Sequence, residues 1–233
     1  MDVELELVKI AALVGEPARA IMLWNLMGGQ ARPAGELAYY ANVSAQNASA
    51  HLAKLVDGGL LAVEARGRHR YFRLANPEVA HAVEALAALI SSGDPKSTDK
   101  SRPAPQPHAP DLKYARTCYD HLAGRVAVDL CDALINKRYL AQAGNVYEVT
   151  SHGEMWFCEL GIEIGKLRQQ RRAFARQCLD WSERRPHLAG ALGAAVLAHM
   201  FRHGWIARVR SSRLIRVTTK GRTDLYQSLR LTL

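Results

Sequence analysis

The chain has 233 residues, 48% hydrophobic and 23% charged, with a formal net charge of +9, which suits one large or two small domains with proper cores and excludes wholesale disorder. The longest apolar run, residues 188–200, is 13 residues long and contains His199, whereas a membrane span needs about 20. Asp2, Glu4 and Glu6 stand where a signal peptide would be basic, and four cysteines are too few for a disulfide scaffold, so the expectation is a cytoplasmic chain with reduced thiols.

Residues 4–14 place Leu5, Val8 and Ala12 at helical spacing. A second helix runs from about Glu16, with Pro17 in its first turn, to Met27, where Gly28-Gly29 stop it. A third, short helix starts near Pro33 and covers 35–40. Asn42-Val43 turns the chain, and Ser44 is an N-cap for a fourth helix over roughly 45–57, ended by Gly58-Gly59. Residues 60–65 and 71–74 read as strands joined by a basic tip, Arg66-Gly67-Arg68-His69-Arg70. Pro77 opens a last helix with Val79, Val83, Leu86 and Ile90 on its apolar face.

Residues 91–112 hold five of the nine prolines and read as an extended, semi-rigid linker. Residues 1–90 carry 8 Lys and Arg against 9 Asp and Glu, while residues 113–233 carry 20 against 10. The basic excess therefore sits after the linker, and it points to an anionic partner, most simply nucleic acid.

The second part contains an internal duplication. Ala115-Arg116-Thr117-Cys118-Tyr119-Asp120 recurs as Ala175-Arg176-Gln177-Cys178-Leu179-Asp180, and His121-Leu122-Ala123-Gly124 recurs as His187-Leu188-Ala189-Gly190 after an insertion at 181–186. Val149-Thr150-x-x-Gly153 then recurs as Val217-Thr218-x-x-Gly221. The first copy reads as helix 117–136, hairpin 138–150 and helix 152–166, the second as helix 187–203, hairpin 205–218 and helix 220–229, with a basic bridging helix over 166–176. The expected fold is mainly α with small β-hairpins: a winged helix-turn-helix over 1–90, then, after the linker, a sensing or scaffolding domain of two half-winged-helix-like repeats, about 113–166 and 173–233. Alternation along 206–217 would put several of Arg208, Arg210, Arg213 and Arg216 on one strand face.

Helix, tight turn, helix and a hairpin with a basic tip is the winged helix-turn-helix order, in which the second helix of the pair fits the major groove and the wing lies along phosphates. Ser44, Gln46, Asn47, Ser49, His51 and Lys54 fall on or near one face of the fourth helix, opposite Ala48, Leu52 and Leu55. Gln and Asn can bond adenine edges bidentately and Ser can bond bases or phosphates. Arg66, Arg68 and Arg70 supply counter-charge at the wing. The alternative is a solvated polar face with a basic turn.

Val43-Ser44, Ser49, His51-Leu52, Leu55, Gly58-Gly59-Leu60-Leu61, Gly67-Arg68 and Tyr71-x-x-Leu74 closely resemble the recognition helix and wing of the ArsR-type winged-helix repressors, a resemblance covering residues 3–90. It implies a homodimer paired through the first and last helices, reading a palindromic operator in double-stranded DNA. As patterns alone, those two apolar stripes could equally be monomer core. The metal-sensing members' Cys pair at the third helix is replaced by Arg32-Pro33-Ala34-Gly35. On the last helix His81, Glu78 and Glu84 are too few for a closed tetrahedral site, so the usual metal sites of the family are absent and any sensor is expected after the linker.

There the repeat relates Cys118, Asp120 and His121 to Cys178, Asp180 and His187. That set could bind a soft metal, form a redox couple, line a small-ligand pocket, or serve packing, with cysteine as a small core residue. His199 and His203 lack a third partner, and Cys131 and Cys158 have no counterparts in the other copy. No Gly-rich phosphate loop, nucleophile elbow or carboxylate-metal motif is present, so neither an enzyme nor a bound cofactor is expected. The leading expectation is a transcriptional repressor released by a small-molecule, thiol or metal signal; the alternative is an architectural DNA-binding protein with little sequence preference.

Overall fold

The computed structural model describes residues 2–67, 69–89 and 110–233. Arg68, Ile90, the side chain of Arg66 and nearly all of the proline-rich stretch lie outside the described residues. The chain divides into two compact units, one of residues up to 110 grouped with Ser211–Arg213, the other of Asp111–Arg210 and Leu214–Leu233. No helix among the described residues is long and apolar enough to cross a membrane.

The first unit runs α1 (Val3–Val14), α2 (Pro17–Asn25), β1 (Arg32–Pro33), α3 (Ala34–Ala41), α4 (Ala45–Asp57), β2 (Leu61–Arg66), β3 (His69–Leu74) and α5 (Pro77–Ala88). The starts of α2, α4 and α5 are set by side-chain caps: Glu16, Ser44 and Asn76 each accept a hydrogen bond from a backbone N–H in the first turn. Asn42 closes α3 in the left-handed region, φ 52°, where asparagine is tolerated. The wing is an antiparallel pair from Leu61↔Leu74 to Arg66↔His69, and β1 extends it through Arg32↔Phe72. This added strand escapes sequence reading because it is two residues long and half proline, a residue that only an edge strand accepts. Met22, Leu23, Leu26, Leu37, Leu52, Leu55 and Phe72 form the core. No residue of α1 is buried, and Leu5 and Val8 are exposed.

The second unit begins within α6 (Pro110–Tyr114), so the chain is already helical inside the expected linker. Then follow β4 (Arg116–Cys118), β5 (His121–Ala123), α7 (Arg125–Asn136), β6 (Leu140–Ala143), β7 (Val146–Val149), α8 (Ser151–Glu159) and α9 (Ile164–Arg168). The remainder is β8 (Arg176–Leu179), β9 (Pro186–Ala189), α10 (Gly190–Arg202), β10 (Ile206–Arg208), β11 (Ile215–Val217) and α11 (Thr219–Leu229). Hairpin, helix, hairpin, helix thus occurs twice in the same order.

The two expected helices at 117–136 and 187–203 are corrected at their starts. Residues 116–123 form a hairpin because Tyr119 takes a positive φ of 56° and turns the chain through Tyr119-Asp120, which no helix allows. Each helix starts at a glycine: α7 begins just after Gly124, at φ 87°, and Gly190, at φ 82°, is the first residue of α10. A Cβ at these positions would lie 2.7 Å from the Lys113 carbonyl oxygen and 2.6 Å from that of Ala173, so only glycine fits this close backbone approach. The bridging helix over 166–176 is corrected too. Helix α9 ends at Arg168 and residues 169–175 are irregular, with Arg172 turned to the Asp120 carboxylate instead of stacking beside its like-charged neighbours. The hairpin 206–217 has three-residue strands, which leaves Arg210 and Arg213 in the connecting turn and off any strand face.

Within this unit α7 packs on β9 and α10 packs on β5, each helix crossing to the other hairpin. Val126, Leu130, Leu134, Leu192, Leu197, Met200 and Phe157 fill the space between. The second helix of each copy is capped alike: the Thr150 and Thr218 hydroxyls accept from Gly153 N and Gly221 N at 3.0 and 2.9 Å.

Candidate functional site

Two arrangements carry chemistry. The first is α4. Its apolar positions Ala48, Leu52 and Leu55 are buried, which turns Ser44, Gln46, Asn47, Ser49 and Lys54 to solvent along the opposite side. Ser44 Oγ accepts from Asn47 N at 3.2 Å, and Ser49 Oγ donates to the Ala45 carbonyl at 2.9 Å. Gln46, Asn47 and Lys54 are exposed. His51 departs from this display, since its Nδ1 lies 3.3 Å from Glu16 Oε2 and its ring is half-buried. At the wing, Arg70 is exposed and its guanidinium lies 5.6 Å from the Phe72 ring centroid, an amphipathic stem held by its own strand. Arg68 and the Arg66 side chain lie outside the described residues.

The second arrangement gathers all six polar residues that the repeat singles out. In hairpin β4–β5, Cys118 and His121 are direct cross-strand partners; in hairpin β8–β9, Cys178 and His187 are. Directly opposed residues bring their Cβ atoms to about 4.5–5.5 Å, so each hairpin presents one thiol beside one imidazole. The two imidazole rings meet at 5.1 Å between centroids, inclined at 34°. His121 is 2% exposed, His187 1% and Cys118 2%, while Cys178 is partly buried.

Each histidine has a carboxylate behind it. Asp120 Oδ1 lies 3.5 Å from His121 Nδ1, and Asp180 Oδ2 lies 3.6 Å from His187 Nδ1. Asp180 is fully buried and accepts from Arg116 Nη2 at 3.0 Å, Gly124 N at 2.7 Å, Ser182 N at 2.9 Å, Ser182 Oγ at 2.7 Å and Glu183 N at 3.1 Å. Burial alone would raise its pKa, but the Arg116 charge and these donors overcome that and hold it down at about 2. Asp120 lies nearer solvent in an ion pair with Arg172; burial opposes its ionisation, and Arg172 and His121 outweigh it and lower its pKa.

Sequence reading overlooked the two arginines. Arg116 stood in the repeated Ala-Arg-x-Cys segment, but its counterpart Arg176 is exposed whereas Arg116 is 2% exposed, so the repeat gave no reason to single it out. Arg172 falls on the segment misread as helical. Cys131 and Cys158 lie apart from the cluster: Cys131 is buried in the α7 core, where burial pushes its thiol up to about 11, and Cys158 is exposed. His199 is buried and stacks on His203 at 4.0 Å.

A family model described as a helix-turn-helix domain matches residues 14–64. The uncharacterized HTH-type transcriptional regulator YdfF of Bacillus subtilis (strain 168) is 45% identical over 221 residues, covering 95% of this chain and 96% of its own. Among solved structures, the homodimeric winged helix-turn-helix DNA-binding domain of a possible ArsR-family transcriptional regulator from Mycobacterium bovis covers 36% of this chain and 77% of its own, at 23% identity and a TM-score of 0.33. NolR from Sinorhizobium fredii covers 40% of this chain and 91% of its own, at 20% identity and a TM-score of 0.36.

Proposed function

Since the chain belongs to the helix-turn-helix transcriptional regulators, we propose that it acts in the cytoplasm as an ArsR-like homodimeric repressor of a palindromic operator, released by a signal received in its second unit. The observation that carries this reading is the solvent-facing row of Ser44, Gln46, Asn47, Ser49 and Lys54 on α4, set against a fully apolar inner face. Neutral hydrogen-bonding side chains at the start of such a helix suit base edges, and Lys54 and Arg70 suit phosphates. His51 serves the fold of this unit through Glu16 more than it serves DNA.

Dimerisation is favoured by apolar side chains on the first and last helices. Leu5, Leu7 and Val8 of α1, with Leu86 and Leu89 at the end of α5, are exposed, and burying such side chains is worth about 1.5–3 kcal/mol each. The second unit reads as a duplicated pair of half-winged-helix modules; its repeated hairpin, helix, hairpin, helix order and matched threonine caps support this. It holds the regulatory role by binding an effector, not by catalysis.

The test combines light scattering on the full chain with selection of bound sequences from random duplex DNA. A mass twice 25.7 kDa and an enriched palindrome are expected. A monomer, or binding without sequence preference that collapses with salt at every site alike, would favour the architectural reading instead.

A further inference from the structure

Cys118 Sγ, Cys178 Sγ and one nitrogen each from His121 and His187 lie within 4.8 Å of one another. We propose that these four side chains bind one zinc-class divalent cation, which joins hairpin β4–β5 to hairpin β8–β9 inside the second unit. Two thiolates and two imidazoles are a preferred tetrahedral donor set for zinc, and bonds of about 2.0–2.3 Å would set the donors roughly 3.3–3.8 Å apart. The observed spread therefore needs only a small inward movement of side chains already facing one another.

Three features distinguish this cluster from ordinary packing. His121 Nε2 and both ring nitrogens of His187 are buried and form no hydrogen bond, so they lack the partners water would give them; coordination would engage one nitrogen of each ring. Each Nδ1 faces a carboxylate, Asp120 at 3.5 Å and Asp180 at 3.6 Å; with Nε2 on the metal, each Nδ1–H would point toward that carboxylate, as in the usual carboxylate–histidine–metal arrangement. Finally, the charges balance. Both thiols lose a proton on binding, so two thiolates neutralise the dication, while Arg116 and Asp180 already neutralise each other. With four protein ligands no coordination position stays open, so the ion is a staple of the unit and not a catalyst. Cys178, partly buried, marks the entry side.

The inference is independent of the repressor reading, and its test uses no DNA. The untagged full chain, reduced and purified, is measured for metal by mass spectrometry and then titrated with cobalt(II) alone. One zinc per chain is expected, and cobalt should give the intense visible bands and thiolate charge-transfer absorption of a tetrahedral two-thiolate site, bleached by added zinc. Cys118→Ser and Cys178→Ser should each weaken zinc binding at least 100-fold, and Cys158→Ser should leave it unchanged. Because a serine variant can misfold, the unmodified chain decides: a reduced wild-type chain that binds cobalt without thiolate charge-transfer bands, or binds none, overturns the proposal. So does a Cys118→Ser, Cys178→Ser chain that keeps full zinc stoichiometry.

Discussion

Helix α4 and the paired hairpins of the second unit are both dense in polar side chains, yet they are built in opposite ways. On α4, Gln46, Asn47, Ser49 and Lys54 stand exposed, opposite Ala48, Leu52 and Leu55, and none of them is part of the core. In the hairpins the polar groups are turned inward, and Cys118, His121, Asp180 and His187 are almost wholly removed from solvent, with Asp120 alone paired near the surface. A displayed polar group waits for a partner that the chain does not contain; a buried one must find its partners inside the chain or bind something small. Substitution should therefore separate the two regions, affecting binding in the first and folding in the second.

The largest effect belongs to Asp180. Asp180→Ala takes the carboxylate away from the buried Arg116 guanidinium and removes five hydrogen bonds, and losing one partner of a buried ion pair costs about 3–5 kcal/mol. Asp120→Ala, its counterpart in the repeat, breaks a pair near the surface with Arg172 and should cost less than about 1 kcal/mol. Urea unfolding of both variants checks the order, and equal losses would show that the buried pair is not the anchor of the second hairpin.

On α4 the expectation reverses. Gln46→Ala and Asn47→Ala should leave the urea midpoint where it is, because both side chains are exposed, and should weaken operator binding by about 1–3 kcal/mol with little change on unrelated DNA. Arg70→Ala should weaken binding to all sequences and flatten the salt dependence. Fluorescence anisotropy at several salt concentrations separates these outcomes. If Gln46 and Asn47 variants kept full sequence preference, α4 would not be the reading element.

This contrast also explains how much could be read in advance. The first unit is legible because its signals are local: Pro17 at a helix start, Ser44 and Asn76 as caps, Gly58-Gly59 as a stop, and a hairpin around Gly67. The repeat in the second unit is legible as well, and it named all six polar residues of the cluster. Their local structure was not. Residues 117–123 carry apolar residues at spacings that suit a helix, and only the left-handed Tyr119 and the Gly124 contact with the Lys113 carbonyl make them a hairpin. Both are consequences of packing that no window of sequence reports. The pairing of Arg116 with Asp180 spans 64 residues and breaks the symmetry of the repeat, so the repeat itself concealed it.

Ser44 tests the contrast at its weakest point, because it belongs to both sides. Its hydroxyl caps α4 by accepting from Asn47 N, and it is also exposed at the end of the helix that would face DNA. Removing the cap with Ser44→Ala should cost about 1 kcal/mol of stability, whereas Ser44→Gly, which leaves the backbone N–H groups open to water, should cost only a few tenths. The two variants lack the same hydroxyl. If Ser44 touches DNA directly, both should lose operator affinity equally although only the alanine variant is less stable in urea. If affinity falls in the alanine variant alone, Ser44 acts by holding the first turn of α4 in place, and base or phosphate contact at that position passes to Gln46 and Asn47.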